Sequence, residues 1–230
     1  MTSEGNSVEL PPYYSVRATW WKADKLAFGL NFNHAKIEAD NPVLFDLDGG
    51  GITITERSRS SVYLDGGDGK EHRTAWAGAG DGVLFFDAGM DGRITEKREN
   101  VFTEWTQGST SDLEAVREKF DTNGDGKLTA ADSQWSSFKV MVTNADGTTT
   151  AKTLTELGIT EIDLRPDATN IELPDGSVIT GQTTFVRNGV TRTVADTVFV
   201  ACTGCEQKQK SDKYSNAEFL SKEAVWEITA

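Results

Sequence analysis

Histidine and cysteine are scarce in this chain, with two of each among 230 residues. The histidines, His34 and His72, lie far apart, and the cysteines fall together in "CTGC" as Cys202 and Cys205. A zinc hydrolase or a Cys-His nucleophile needs more such residues than this, and neither H-E-x-x-H nor G-x-S-x-G occurs. Cys202 and Cys205 suit a local disulfide, or half of a zinc site whose second ligand pair is missing. Long apolar runs are lacking as well. None approaches the roughly 20 residues of a membrane span, and a mean hydropathy of -0.44 fits a water-soluble chain. Met1 is followed by polar residues, not by a basic and then an apolar stretch, so no secretory signal peptide is read there. A piece of a longer protein, or a protein exported through a C-terminal signal, would begin in the same way. Positive charge is in deficit. Lys and Arg number 23 against 36 Asp and Glu, a net charge of -13, which would repel phosphates and excludes nucleic acid as an expected partner.

What the chain has in plenty is aspartate and glycine, clustered in loops between short apolar runs: "DLDGGGI", "LDGGDGK", "GDGVLFFDAGMDGRI" and "FDTNGDGKLTAAD". Carboxylates crowded this way suit a hard cation with oxygen ligands, and calcium is the expected cofactor. The strongest loop is residues 121–132. An EF-hand loop takes ligands at positions 1, 3, 5, 7, 9 and 12, with glycine at 6. Here those are Asp121, Asn123, Asp125, the Lys127 carbonyl, Thr129 and Asp132, with Gly126 at the turn and Leu128 facing inward. The last ligand is Asp where sensor loops carry Glu. In the second loop Asp87 and Asp91 fit positions 1 and 5, and the Arg93 carbonyl fits position 7. Gly89 offers no side chain at position 3, and Glu99 falls one residue late, so it ligates only from an expanded loop. Two weaker candidates are Asp46 with Asp48, and Asp65 with Asp68; these could share one ion. A dockerin-like partner-binding module would want two closely similar EF-type loops, and only residues 121–132 qualify.

Periodicity adds the framework. Residues 13–32 alternate apolar and polar as a strand pair, with "KADK" as the turn. Residues 111–120 read as a helix, opened by Ser111 and Glu114 at capping-box spacing, and residues 130–138 as a second helix with Trp135 and Phe138 turned inward. "FKVMVTNADGTTTAKTL" reads as a hairpin turning at "NADG". "LTELGI" reads as a helical turn, "ITEIDL" as a strand, and "GQTTFVRNGVTRTVADTVFV" as a hairpin turning at Asn188-Gly189. Ser215 to Ile228 has a helix pattern. The fold class expected is α+β: calcium-loaded EF-hand-like loops and short helices packed with β-hairpins. Its parts are an upstream flank with a hairpin (1–41), a central module (42–200), and a C-terminal linker with a short helix (201–230).

The order "NPVLFDLDGGGI", "GDGVLFFDAGMDGRIT", "FDTNGDGKLTAAD", "LTELGI", "TFVRNGVTRTVADTVF" resembles the self-processing module of RTX (repeats-in-toxin) proteins, FrpC type, over about residues 42–200. The resemblance implies that calcium folds the module and that folding cleaves an Asp-Pro bond just ahead of the first acidic loop. That position here is Asn41-Pro42. It also implies a freed carbonyl that can be joined to a lysine of an acceptor protein, and a secreted, type I exported toxin or adhesin. Residues 13–32 are expected to pack on the module as its upstream flank, and the fragments then stay together after cleavage. The chemistry asks for an aspartate at 41. Its carboxylate can close a five-membered anhydride on its own backbone carbonyl, with the proline nitrogen leaving. Asn41 departs from that pattern. A carboxamide cannot form the anhydride, and its nitrogen closes a succinimide only slowly. Two accounts fit: a substitution that traps the uncut precursor, or a natural member that is inactive or cleaves through Asn. A structural calcium-binding module without chemistry is the other function consistent with Asn41, Gly50 and Gly89.

Overall fold

The computed structural model describes residues 41–65 and 71–199, together with the backbone of two strands ahead of them. Those two, β1 (Tyr14–Trp21) and β2 (Ala27–His34), pair antiparallel from Tyr14↔His34 to Trp21↔Ala27, as the alternating pattern suggested. The expected packing of this segment on the module concerns side chains outside the described residues. So do Cys202, Cys205 and the helix expected from Ser215.

The module is mostly β, which overturns the α+β assignment. Its main sheet has nine antiparallel strands. Across it run β11 (Thr149–Thr153), β10 (Phe138–Thr143), β8 (Asp81–Phe86), β3 (Val43–Asp46), β15 (Val190–Val198), β14 (Val178–Arg187), β12 (Ile159–Asp163) and β9 (Lys127–Thr129), with β13 (Ile171–Glu172) also on β14. Two small ladders stand apart: β4 (Ile54–Thr55) with β7 (Trp76–Ala77), and β5 (Tyr63–Asp65) with β6 (Glu71–Arg73). Both expected hairpins form. At the second, Asn188 (φ 50°) and Gly189 (φ 76°) take the two positive-φ positions of a type I′ turn, which twists in the sense the flanking strands need.

One α-helix is present among the described residues, α1 (Asp112–Phe120). The Ser111 side chain accepts from the Glu114 N–H at 3.2 Å, while the Glu114 carboxylate turns to Thr110 N and Oγ1, both at 2.8 Å. Only half of the expected capping box is therefore made. The second helix does not form. Residues 130–138 give a turn and a short 3₁₀ segment at Trp135–Ser137, after which Phe138 enters β10 opposite Phe86. Serines at 133, 136 and 137 carry little helix propensity, and the sheet edge offered by β8 claims the chain.

Alternation along the two central strands builds two cores. Val43, Phe45, Leu84 and Phe86 face a large cluster that also takes in α1 and Phe138. Leu44 and Val83 face a smaller one with Trp76 and Phe199. Strands covered on both faces read as continuous apolar runs, as "VLF" and "VLFF" do. Among the described residues no helix is long and apolar enough to cross a membrane.

Candidate metal loops and the Asn41-Pro42 bond

Three loops share one closure. In each, an aspartate at the end of an apolar run accepts the backbone N–H five residues on: Gly51 to Asp46 (3.1 Å), Gly92 to Asp87 (3.2 Å) and Gly126 to Asp121 (2.7 Å). Gly51, Gly92 and Gly126 all have positive φ (88°, 70° and 83°), so the chain can bend back on its own carboxylate. The residue before each aspartate is a phenylalanine of the main core: Phe45, Phe86 and Phe120. A buried ring thus fixes the first carboxylate of every loop.

In the 121–132 loop, Asp121 holds Gly124, Asp125 and Gly126, and Asp125 Oδ1 holds Lys127 N at 2.8 Å. Asn123 joins Asp125 through its amide at 2.9 Å. Asp132 is buried, and its two oxygens take Thr122 N and Thr129 N, both at 2.8 Å. The structure brings these residues and the Lys127–Thr129 strand into one loop, entered by α1 but left by a turn, not by the helix an EF-hand supplies.

In the 87–99 loop Glu99 is buried and reaches across, taking Thr95 N at 2.7 Å and Gly89 N at 3.4 Å on different oxygens. Its carboxylate therefore spans the point where Gly89 offers no side chain. Asp91 turns to Arg93 N at 2.9 Å. Burial pushes Asp87 up, but the Lys139 ammonium seated on it and the N–H groups of Gly92 and Asp91 outweigh that, and its carboxyl lies below the usual range. A lysine already supplies positive charge here, so this loop asks least for an added cation.

The first loop gains a residue that sequence reading missed. Asp46, Asp48 and Asp81 each place a carboxylate oxygen within 4.8 Å of the others. Asp81 opens β8 and is the register partner of Asp46. The stretch "GDGVLFFD" was read only for its far aspartate; strand pairing alone sets Asp81 opposite Asp46. Asp81 Oδ2 takes Thr53 N and Oγ1 at 2.8 and 2.6 Å, while its Oδ1 is buried without a partner. Burial raises its carboxyl to about 6, opposed by Thr53 and reinforced by the charges of Asp46 and Asp48. A buried oxygen with no donor, in a trio of acids, fits a hard cation, with the Arg192 guanidinium packed beside Gly49 of the same loop. Of the fourth candidate, Asp65 ends β5 and its side chain lies outside the described residues, as does Asp68.

A raised folded-state value means that Asp81 favours folding fully below its ordinary value near 3.8 and loses that contribution as pH rises through about 6. Asp81→Asn keeps the acceptor for Thr53 and removes the charge. At pH 7.5 in chelator its melting midpoint is expected above the parent's, while its gain on adding calcium shrinks by one site, about 2–3 kcal/mol at saturating ion. Thermal melts with and without calcium check both signs, and an unchanged calcium gain removes Asp81 from the site.

Asn41 and Pro42 lie at the opposite end of β3 from Asp46. Pro42 is buried, and its carbonyl accepts from both Thr197 N (3.1 Å) and Thr197 Oγ1 (2.7 Å) on β15. Asn41 borders a cavity of about 810 Å³, with Lys97, Thr103, Trp105, Thr110 and Val198 among its other walls.

A family model described as the SPM domain matches residues 43–200. The iron-regulated protein FrpA of Neisseria meningitidis serogroup C is 29% identical over 203 residues, 84% of this chain and 18% of its own length. The chain thus spans under a fifth of the curated relative it matches.

Proposed function

This chain belongs to the SPM domain family, and from that premise we propose that it is a calcium-dependent self-processing module whose target is the 41–42 bond. The observation that carries the reading is β3. Four buried residues, Val43 to Asp46, join the Asx-Pro bond to the Asp46–Asp48–Asp81 trio, at the middle of the sheet. Order at one end of so short a strand fixes the other.

Calcium, held by Asp46, Asp48 and Asp81 and by the 121–132 and 87–99 loops, would neutralise the carboxylates and contribute its binding energy to folding. Folding seats Val43–Asp46 between β8 and β15. Thr197 then grips the Pro42 carbonyl from two donors, and residue 41 faces the cavity. With aspartate at 41, a side-chain oxygen attacks the residue's own carbonyl carbon, the bond to the Pro42 nitrogen breaks, and an anhydride remains. Water opens it, or a lysine amine opens it to an isopeptide. Asn41 cannot take that route, so the chain as it stands is the uncut state. Cytosolic calcium is too low for modest sites, while extracellular modules bind near 10⁻⁴–10⁻³ M, so the module would close after export. The parent's targets and its secretion rest on the same family reading.

The test is Asn41→Asp in a few millimolar calcium, followed by intact mass. Two products divided between residues 41 and 42 are expected, with none in chelator. Asn41 itself favours a second reading, a calcium-stabilised structural module without chemistry. An Asn41→Asp chain that stays whole but melts later in calcium would establish that one instead.

A further inference from the structure

A second acidic pair lies outside the metal loops. Asp112, the first residue of α1, is 1% exposed, and Asp196 of β15 is 2% exposed. Asp196 receives Leu113 N on both oxygens, at 3.1 and 3.3 Å, and so ties the start of α1 to the sheet. Asp112 Oδ1 receives Thr103 N at 2.8 Å. Its other oxygen, Oδ2, is buried and has no partner.

The pair frames the bond at 41–42. Asp196 is the register partner of Val43, and its neighbour Thr197 holds the Pro42 carbonyl. Thr103, bonded to Asp112, borders the same cavity as Asn41. Asp112 thus has a neighbour on each side of that bond: it holds Thr103 of the wall that residue 41 borders, and the next residue, Leu113, donates to Asp196 on the strand that grips residue 42. Anchoring of α1 and of the 102–105 turn accounts for Asp196 and for one oxygen of Asp112. It gives no reason for a second buried oxygen that binds nothing, where an asparagine or serine would spare the charge.

Resting on the self-processing reading above, we propose that Asp112 is the proton donor to the Pro42 nitrogen, with Asp196 as its positioning residue. The step balances. An oxygen of an aspartate at 41 bonds to its backbone carbonyl carbon, the C–N bond to Pro42 breaks, and the nitrogen keeps the electron pair and takes the Asp112 proton. The anhydride and the Asp112 carboxylate remain, and hydrolysis by water returns a proton to Asp112. A departing amide nitrogen is a strong base, so an acid placed beside it accelerates the break.

The protonation states agree. Burial, reinforced by the Asp196 charge and opposed by the N–H groups of Phe102 and Thr103, raises the Asp112 carboxyl to about 8. Burial likewise raises Asp196 to about 6, opposed by Ser111 and the start of α1 and reinforced by Glu114. Burial thus favours the protonated form at both acids, and more strongly at Asp112. The charged groups that line the cavity, Lys97 and Glu104, are paired with each other at 3.1 Å.

The experiment follows cleavage by mass from pH 5 to 10, in calcium, for Asn41→Asp and for Asn41→Asp with Asp112→Asn. The first is expected to slow above about pH 8 as Asp112 ionises. The second is expected to cut about 100-fold more slowly and to lose that alkaline limb. Asparagine keeps the acceptor for Thr103, so its calcium-bound melting midpoint should equal or exceed the parent's. As a readout independent of folding in the variant, the carboxyl carbon resonance of Asp112 in the uncut Asn41 chain should report a neutral acid at pH 7. A double variant that folds and cuts at the parent's rate, or an Asp112 ionised at pH 7, overturns the role. An Asn41→Asp chain that never cuts overturns the self-processing reading and this role with it.

Discussion

Stripped of calcium, the chain is expected to melt about 10–20 °C below its calcium-loaded form. Two acidic sites carry this effect, the Asp46–Asp48–Asp81 trio and the 121–132 loop, because among the described residues the one cation paired with the first carboxylate of such a loop is Lys139, on Asp87. At about 10 mM calcium and dissociation constants near 10⁻⁴ M, each site stabilises the fold by about 2.7 kcal/mol. Two sites together give roughly 5 kcal/mol. For a domain of this size each kcal/mol moves the midpoint by about 2–4 °C. The 87–99 loop adds less, since Lys139 already sits on Asp87 and an ion would have to displace it. Magnesium at the same concentration should reproduce little of the shift, because it demands a tighter octahedron than loops of this kind provide. Calorimetry in calcium, magnesium and chelator decides it. A midpoint indifferent to all three would remove calcium from the mechanism and the self-processing reading with it.

Local chemistry was legible in the sequence where one residue sets one turn. Asn188-Gly189 demanded two positive-φ positions, and Ser111 opened a helix where one begins. The closure of the loop at 121–132 was legible for the same reason, since the residues that hydrogen-bond across it are close neighbours along the chain. What the sequence could not supply was pairing over distance. β3 lies between β8 and β15, and its register with β15 joins residues about 150 apart. That register puts Asp196 opposite Val43, and the pairing with β8 puts Asp81 opposite Asp46. Nothing local to either acid in the sequence marks these partners. The expected second helix failed for a related reason: Trp135 and Phe138 do turn inward, but Phe138 does so from a strand whose partner is far upstream. Apolar spacing alone could not separate the two outcomes.

Phe138→Ala is expected to lower the melting midpoint by roughly 6–20 °C and to loosen the loops from one another. The ring meets Phe86, Phe102 and Phe120 at centroid distances of 5.3, 5.9 and 5.0 Å and is fully buried. Truncating such a ring costs about 3–5 kcal/mol, the spread depending on how far the site collapses, and the same conversion to temperature applies. Its position gives the change a second consequence. Phe86 directly precedes Asp87 and Phe120 directly precedes Asp121, so the ring that touches both connects the first carboxylates of two loops. Removing it should blunt the stabilisation that calcium gives through Asp121, because the aspartate then hangs from a mobile ring. A double-mutant cycle between Phe138→Ala and Asp121→Asn, read as midpoint and as calcium gain, measures the coupling. A coupling energy of about 0.5–3 kcal/mol is expected for groups joined through one packed neighbour. Strict additivity would mean that the rings only fill the core and that each loop takes its ion without regard to the other.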